Sequence, residues 1–167
     1  MVTLVVENGT GLSNANTYVN QADATTYHGK HLYATDWTNA TSGNKDIALT
    51  MATRLIDDHF KFEGKAISDT QALEWPRFDI VNKNGYLIAS STIPQALKDA
   101  TAEYARWLLA SDRTAEEGDL GFKDLKVGSL SLTPDPSDRK TTIPDIVVKM
   151  LAEFGRPSGV GSAKATR

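Results

Sequence analysis

From Asn44 to Phe60 the apolar residues return at helical spacing. Ile47, Ala48, Met51, Ala52, Leu55, Ile56 and Phe60 form one stripe. That period predicts an amphipathic helix with one face on a core. A second stretch begins at Thr92-Ile93-Pro94, where proline in a first turn favours a helix start, and runs to about Ser111. Leu97, Ala100, Thr101, Tyr104 and Leu108 make one face, with Ala96, Glu103 and Trp107 beside it. This is the longest and best-punctuated helix and is expected at the centre. A last helix, capped by Thr142 or Ile143 with Pro144 in its first turn, extends to about Phe154. Its apolar side is Ile146, Val147, Met150, Leu151 and Phe154. A threonine-rich first helix spans about Asn20 to His31, with Asn20 as cap and Asp23 where the helix dipole favours a carboxylate.

The segments between read differently. Thr3, Leu4, Val5 and Val6 suggest a short strand, broken by Asn8-Gly9-Thr10-Gly11. Residues 32–43 are turn-rich around Trp37, a loop or short helical turn. Ser68-Asp69-Thr70-Gln71 has the spacing of a capping box and predicts a one- or two-turn helix through Leu73. Trp75-Pro76 ends it, because proline drives the preceding residue out of the helical region. Ile80–Lys83 and Tyr86–Ile88 flank Asn84-Gly85, a hairpin signal in which both central residues of a tight turn take positive φ. Residues 112–124 carry five acids against Arg113 and Lys123 and read as an exposed acidic loop. Leu125 to Leu132 alternates with period two, so it is β, with Gly128 as a bulge or bend, and Thr133-Pro134 stops it. From Gly155 the chain is rich in Gly and Ser, with Arg156, Lys164 and Arg167 and no acid, and is expected to be flexible. The fold class is therefore mainly α: a bundle of about four helices (1–154) with small β-hairpin excursions and a flexible basic C-terminal arm (155–167).

Composition narrows the function classes. The 167 residues fit one domain, and 40% hydrophobic content with three Trp can build a core. A net charge of −3 and a pI near 5.6 lack the basic excess of a dedicated nucleic-acid binder. There is no cysteine, which excludes disulfides and thiolate chemistry. The N-terminus lacks the pattern of a signal peptide, and no apolar run approaches a membrane span. A soluble protein made in a cytoplasm is expected.

Chemistry-bearing constellations are sparse. His28 and His31 share a helical spacing used by metal sites, but no acid completes the set. Asp57-Asp58-His59 are adjacent on a helix and point apart. Gly9-Thr10-Gly11-Leu12 precedes no phosphate-binding helix, and no nucleophile motif appears. No enzyme activity, metal or cofactor is expected. Leu73, Trp75, Pro76 and Arg77 read as a structural hub, with the indole as an apolar plug against the 44–60 and 92–111 helices. Arg77 is either an internal ion pair or a contact to a partner.

Four stretches together resemble a family of tailed-phage head–tail adaptor (connector) proteins labelled DnaT-like. They are Val5 to Val19, Ala48 to Gly64, Gln71 to Arg77 and Ile93 to Ala100. The resemblance implies a ring of identical subunits, commonly twelve, under the capsid portal, extending the DNA channel and docking the tail. The implied partners are the portal protein, identical adaptor subunits and the next tail component (nozzle, tail tube or head-completion protein). Genomic DNA would pass without specific binding, and no membrane is involved. The implied place is the head–tail interface of the virion. On that reading the portal-binding arm contains Gly155, Arg156, Pro157, Lys164 and Arg167. Contacts to neighbours or tail fall at Asn84, Gly85, Leu125, Val127, Leu130 and Leu132. The DnaT label itself, taken from a distant primosome protein, is not read as DNA binding. The alternative is a single-stranded-DNA-binding or replication accessory protein. It calls for exposed aromatics beside Lys or Arg; Trp37 and Trp107 are the candidates, and no basic cluster is near either in sequence.

Overall fold

Two long helices pack on each other at the centre of the molecule. A computed structural model describes residues 2–115, 125–127, 130–132 and 141–158. The helices are α1 (Gln21–His28), α2 (Thr35–Asn39), α3 (Ser42–His59), α4 (Gln95–Ala110) and α5 (Asp145–Leu151). The strands are β1 (Phe60–Phe62), β2 (Lys65–Ala66), β3 (Arg77–Phe78), β4 (Leu125–Val127), β5 (Leu130–Leu132) and β6 (Gly155–Pro157). They pair antiparallel as β1–β6, β2–β3 and β4–β5. The fold is mainly α with small β parts, as its periodicity predicts.

Helix α4 is the hub of the bundle, touching α1, α2, α3 and α5. Its residues Leu97, Ala100, Thr101, Ala102, Glu103, Tyr104 and Ala105 are all buried. A helix covered on several sides loses its polar face, and small Ala residues let the neighbours approach. Helix α3 buries Ala48, Leu49, Ala52, Thr53, Leu55 and Ile56, so its inner face is rotated from the predicted stripe. Ile47 is half exposed instead. Thr53 takes its inner place because its hydroxyl donates to the Leu49 carbonyl at 3.0 Å.

Several boundaries differ from expectation, each for a local reason. Helix α1 is capped by Asn20, whose Oδ1 accepts the Asp23 N–H at 2.8 Å, but it stops at His28. Helix α2 is the short helical turn expected inside 32–43, around Trp37, which is buried. Helix α3 starts earlier, at Ser42, because Thr41 accepts the Asn44 N–H. Phe60 leaves that helix for β1, where alternation buries Phe60 and Phe62 and exposes Lys61. Helix α5 ends at Leu151, short of Phe154.

The 68–73 helix does not form. Gln71 does reach back to the Ser68 N–H at 3.1 Å, but Ser68 Oγ accepts from Thr70 rather than Gln71. The Gln71 amide nitrogen then donates to the carbonyls of Leu73 and Pro76, holding a compact bend. Residues 3–6 form no strand either. Val6 makes one parallel bridge to Thr17, and the Asn16 side chain clasps the segment through the Val5 N–H and the Thr3 carbonyl.

The hairpin around Asn84-Gly85 is present with a different turn. Val81 pairs with Leu87, and Asn82 donates its N–H to the Tyr86 carbonyl. Gly85 alone takes positive φ, 84°, after a turn closed by its N–H to the Asn82 carbonyl. This is a three-residue loop with a left-handed glycine, not the two-residue turn the dipeptide suggests.

Gly155, Arg156 and Pro157 are the strand β6 against Phe62, Lys61 and Phe60, not the start of a flexible arm. A Cβ on Gly155 would lie 2.3 Å from the Lys61 carbonyl oxygen, so only glycine allows this approach. Pro157 stands opposite Phe60, at a position that donates no ladder hydrogen bond. Lys164 and Arg167 lie outside the described residues, as do 116–124 and Gly128.

Candidate nucleic-acid interface

The predicted hub is internal. Trp75 is fully buried, edge-on to Phe62 at 5.9 Å and Phe154 at 5.5 Å. It therefore plugs the gap between β1 and the end of α5. The Trp75–Pro76 peptide is cis. Leu73 packs against the same core. Arg77 is buried, and its fork is used up within the chain. Nε donates to the Glu63 carbonyl, Nη2 to the Gly64 carbonyl, and Nη1 to the Glu74 carbonyl and carboxylate at 2.9 and 2.6 Å. The partner-contact reading of Arg77 is thereby replaced by a structural one: this guanidinium fastens the β1–β2 turn to the hub.

Above the hub lies a hydrogen-bonded chain. The Tyr18 hydroxyl donates to Asp57 at 2.6 Å and accepts the Trp75 N–H at 3.2 Å. The other Asp57 oxygen accepts the Glu74 N–H at 3.1 Å. Burial pushes Asp57 up to about 7, against the pull of those two donors. Burial and the Asp57 charge together raise the Tyr18 hydroxyl well above its ordinary range.

The Gly9–Leu12 loop holds an anion of its own. The buried Glu7 carboxylate accepts the N–H groups of Gly9, Thr10, Gly11 and Leu12 at 2.8–3.0 Å. The glycines here cradle a side chain of the same chain.

The two histidines do not converge. His28 is buried against Trp37, ring centroids 4.8 Å apart, with Nε2 3.0 Å from the Ala102 carbonyl. Burial lowers it to about 4. His31 Nε2 lies 3.9 Å from the Glu103 carboxylate. Among the described residues no cluster of three metal-ligating side chains occurs.

Trp37 and Trp107 do carry cations, one of them the sequence neighbour Arg106. Lys45 Nζ lies 5.5 Å from the Trp37 ring, and the Arg106 and Arg113 guanidinium groups each lie 5.2 Å from the Trp107 ring. Neither is a free stacking platform. Trp37 is buried, and the cations on Trp107 are committed elsewhere. Arg106 pairs with Glu103, which also accepts the Trp107 indole N–H at 3.0 Å. Burial raises the Glu103 carboxyl, but Arg106 outweighs it and holds the group below its usual range. Arg113 donates to the Thr141 and Thr142 carbonyls and pins the approach to α5 onto the end of α4. A groove of about 500 Å³ beside α1 and the start of α4 mixes Lys30 and Lys98 with Asp23 and Asp99 and favours neither sign.

The exposed aromatics lie elsewhere, on the 60–88 excursion. Phe78 is 46% exposed and stands directly opposite Lys65 in the β2–β3 pair, so the two side chains share a face. Phe78 faces outward by alternation with buried Arg77 in β3, and the left-handed φ of 62° at Asp79 breaks that alternation, so Ile80, two residues on, is buried. Tyr86 is 71% exposed at the hairpin tip, three residues from Lys83. Val81 and Leu87 pair on the same hairpin and are both exposed. The Lys83 N–H donates to Glu153 at 3.1 Å, which ties the tip to the approach of β6. Asn84 and Gly85, predicted as partner contacts, sit at this exposed tip. The predicted contacts Leu125, Val127, Leu130 and Leu132 fall on β4–β5, registered Leu125 to Leu132 and Val127 to Leu130. Sequence reasoning missed Phe78, Tyr86, Lys61, Lys65 and Lys83. The signal available was the Phe-Lys-Phe alternation at 60–62 and the aromatics flanking Asn84-Gly85.

A family model described as "Putative DnaT-like ssDNA binding protein" matches residues 2–167. No curated protein and no solved structure matches the chain. The family match overturns the structural head–tail connector expected from the four stretches, with the portal-binding and ring-assembly vocabulary attached to it. It agrees with the alternative instead, and the DnaT label set aside above is the one the match carries. The chain belongs to the DnaT-like ssDNA-binding family.

Proposed function

We propose that the protein binds single-stranded DNA with little sequence preference, as a replication accessory of DnaT-like type, and performs no bond chemistry. The observation that carries the reading is Phe78 exposed directly beside Lys65, in a chain whose family is described by ssDNA binding. Tyr86 and Lys83, both exposed and three residues apart, add a second aromatic and a second cation at the hairpin tip. Every base has a π-face, so stacking on Phe78 and Tyr86 tolerates any sequence, while the lysines meet the phosphates. The overall charge of −3 opposes binding away from this face and makes affinity depend on local cations.

Fluorescence anisotropy of a labelled oligo-dT, titrated at low and moderate salt, tests the reading. Binding at low salt that weakens with salt, and that Phe78→Ala and Tyr86→Ala each reduce, is the expected result. No binding at low salt overturns the function. Binding untouched by either substitution overturns the face.

A further inference from the structure

We propose that Lys61 and Arg156 form a phosphate clamp on the β1–β6 ribbon. The two residues are direct partners in the antiparallel register. The flanking bonds, Glu63 N–H to the Phe154 carbonyl at 2.8 Å and Ser158 N–H to the His59 carbonyl at 2.7 Å, fix the alternation. Lys61–Arg156 therefore falls on a hydrogen-bonded pair, with Cα atoms about 5.5 Å apart. Both side chains are exposed on the outer face, opposite buried Phe60 and Phe62.

Like charges set directly opposite on a ribbon repel, and a two-stranded ribbon has little to offset this. A carboxylate between them is the usual remedy. Among the described residues, neither Lys61 nor Arg156 has a carboxylate oxygen within 4.0 Å. Glu63 lines the same groove of about 350 Å³, with Phe62 and Gly155, yet pairs with neither cation. An anion from outside relieves the pair. A phosphate offers oxygens to both groups at once, and the guanidinium of Arg156 can engage two of them.

The clamp deepens the ssDNA reading and rests on it for the identity of the ligand as a strand. Lys61 is four residues from Lys65, a span of no more than about 14 Å of chain. Glu153, bonded to the Lys83 N–H, is three residues before Arg156. Stacking residues and clamp thus lie on linked segments of the chain.

Two measurements on the full-length protein separate the claims. The first is thermal unfolding with inorganic pyrophosphate against chloride at matched ionic strength. Wild type is expected to gain thermal stability from pyrophosphate. Lys61→Gln and Arg156→Gln are expected to lose that gain, and Lys61→Arg to keep it. A gain that persists in both Gln variants overturns the clamp. The second is the salt dependence of oligo-dT binding. The Lys61→Gln/Arg156→Gln pair is expected to flatten the slope of log K against log salt by about 1.4, roughly 0.7 for each lost contact on a single strand. An unchanged slope, with wild type binding normally, overturns the clamp and leaves the ssDNA reading standing. Absence of wild-type binding, with a pyrophosphate gain that the Gln variants lose, sinks the ssDNA reading and leaves a phosphate site.

Discussion

The Tyr18 hydroxyl donates to Asp57, 39 positions further along the chain, at 2.6 Å. That bond joins the loop before α1 to the last turns of α3. Because Tyr18 also accepts the Trp75 N–H, one hydroxyl ties three distant segments together. Tyr18→Phe keeps the ring and removes only the oxygen, leaving the buried Trp75 N–H without its acceptor. The expected loss is about 1–3 kcal/mol, the cost of an unsatisfied buried group, read by urea unfolding. Wild-type stability in this variant would show that water replaces the hydroxyl.

Asp57 and His28 set opposing pH responses. Burial raises Asp57 to about 7, so the folded state holds its proton more tightly than the unfolded chain. Its contribution is complete below the ordinary carboxylate range and is lost as pH rises toward 7. Burial lowers His28 to about 4. Its contribution is complete above the ordinary imidazole value and is lost as pH falls toward 4. Between about pH 4.5 and 6.5 the two slopes oppose each other. Asp57→Asn should therefore leave a melting temperature that rises with pH across this window, and His28→Phe one that falls. Parallel profiles for the two variants would contradict the assignment.

Trp75 fills the space between Phe62 and Phe154. Trp75→Ala is expected to cost about 3–5 kcal/mol in denaturant unfolding, the range for large aromatic truncations in cores. Arg77→Lys cannot reproduce the fork to three carbonyls and should also destabilise, by about 1–3 kcal/mol. Neither residue reaches the exposed face, so oligo-dT affinity of the folded fraction should stay unchanged.

Phe78 and Tyr86 are exposed, so truncating them leaves the core intact. Each alanine variant should keep wild-type stability within about 0.5 kcal/mol. Each should weaken oligo-dT binding by about 1–3 kcal/mol, roughly 5- to 150-fold. A stability loss larger than the affinity loss would mark them as packing residues.

The ribbon sets a limit on truncation. Ending the chain at Ser158 keeps β6 and the Ser158 N–H bond to His59, so the melting temperature should hold. Ending it at Phe154 strips β1 of its partner and uncovers Phe60 and Phe62. A marked fall in melting temperature is expected from the second truncation alone.

The bundle is legible in the sequence because helical periodicity is local. Ala48 to Ile56, Leu97 to Tyr104 and Val147 to Leu151 each announce an apolar face without reference to the rest of the chain. Register between distant segments is not local. Nothing in the order of residues says that Lys61 will face Arg156, and composition alone assigns Arg156 to a tail. The Ser68–Gln71 spacing misleads for a related reason. The Gln71 amide finds the Leu73 and Pro76 carbonyls, and this competing set of bonds wins over a helix. Phe78 faces outward by alternation with Arg77, and the burial of that arginine, which depends on the distant Glu63 and Gly64 carbonyls, is not legible from residue type.

Glu7 has a consequence for how this molecule meets anions. Its carboxylate occupies the cup of amides at Gly9–Leu12, so the chain is its own tenant there. A rigid backbone cup measures where an oxygen sits, whereas long lysine side chains follow it over several ångströms. A strand held on the proposed face by lysines and aromatic rings is thus gripped without being indexed.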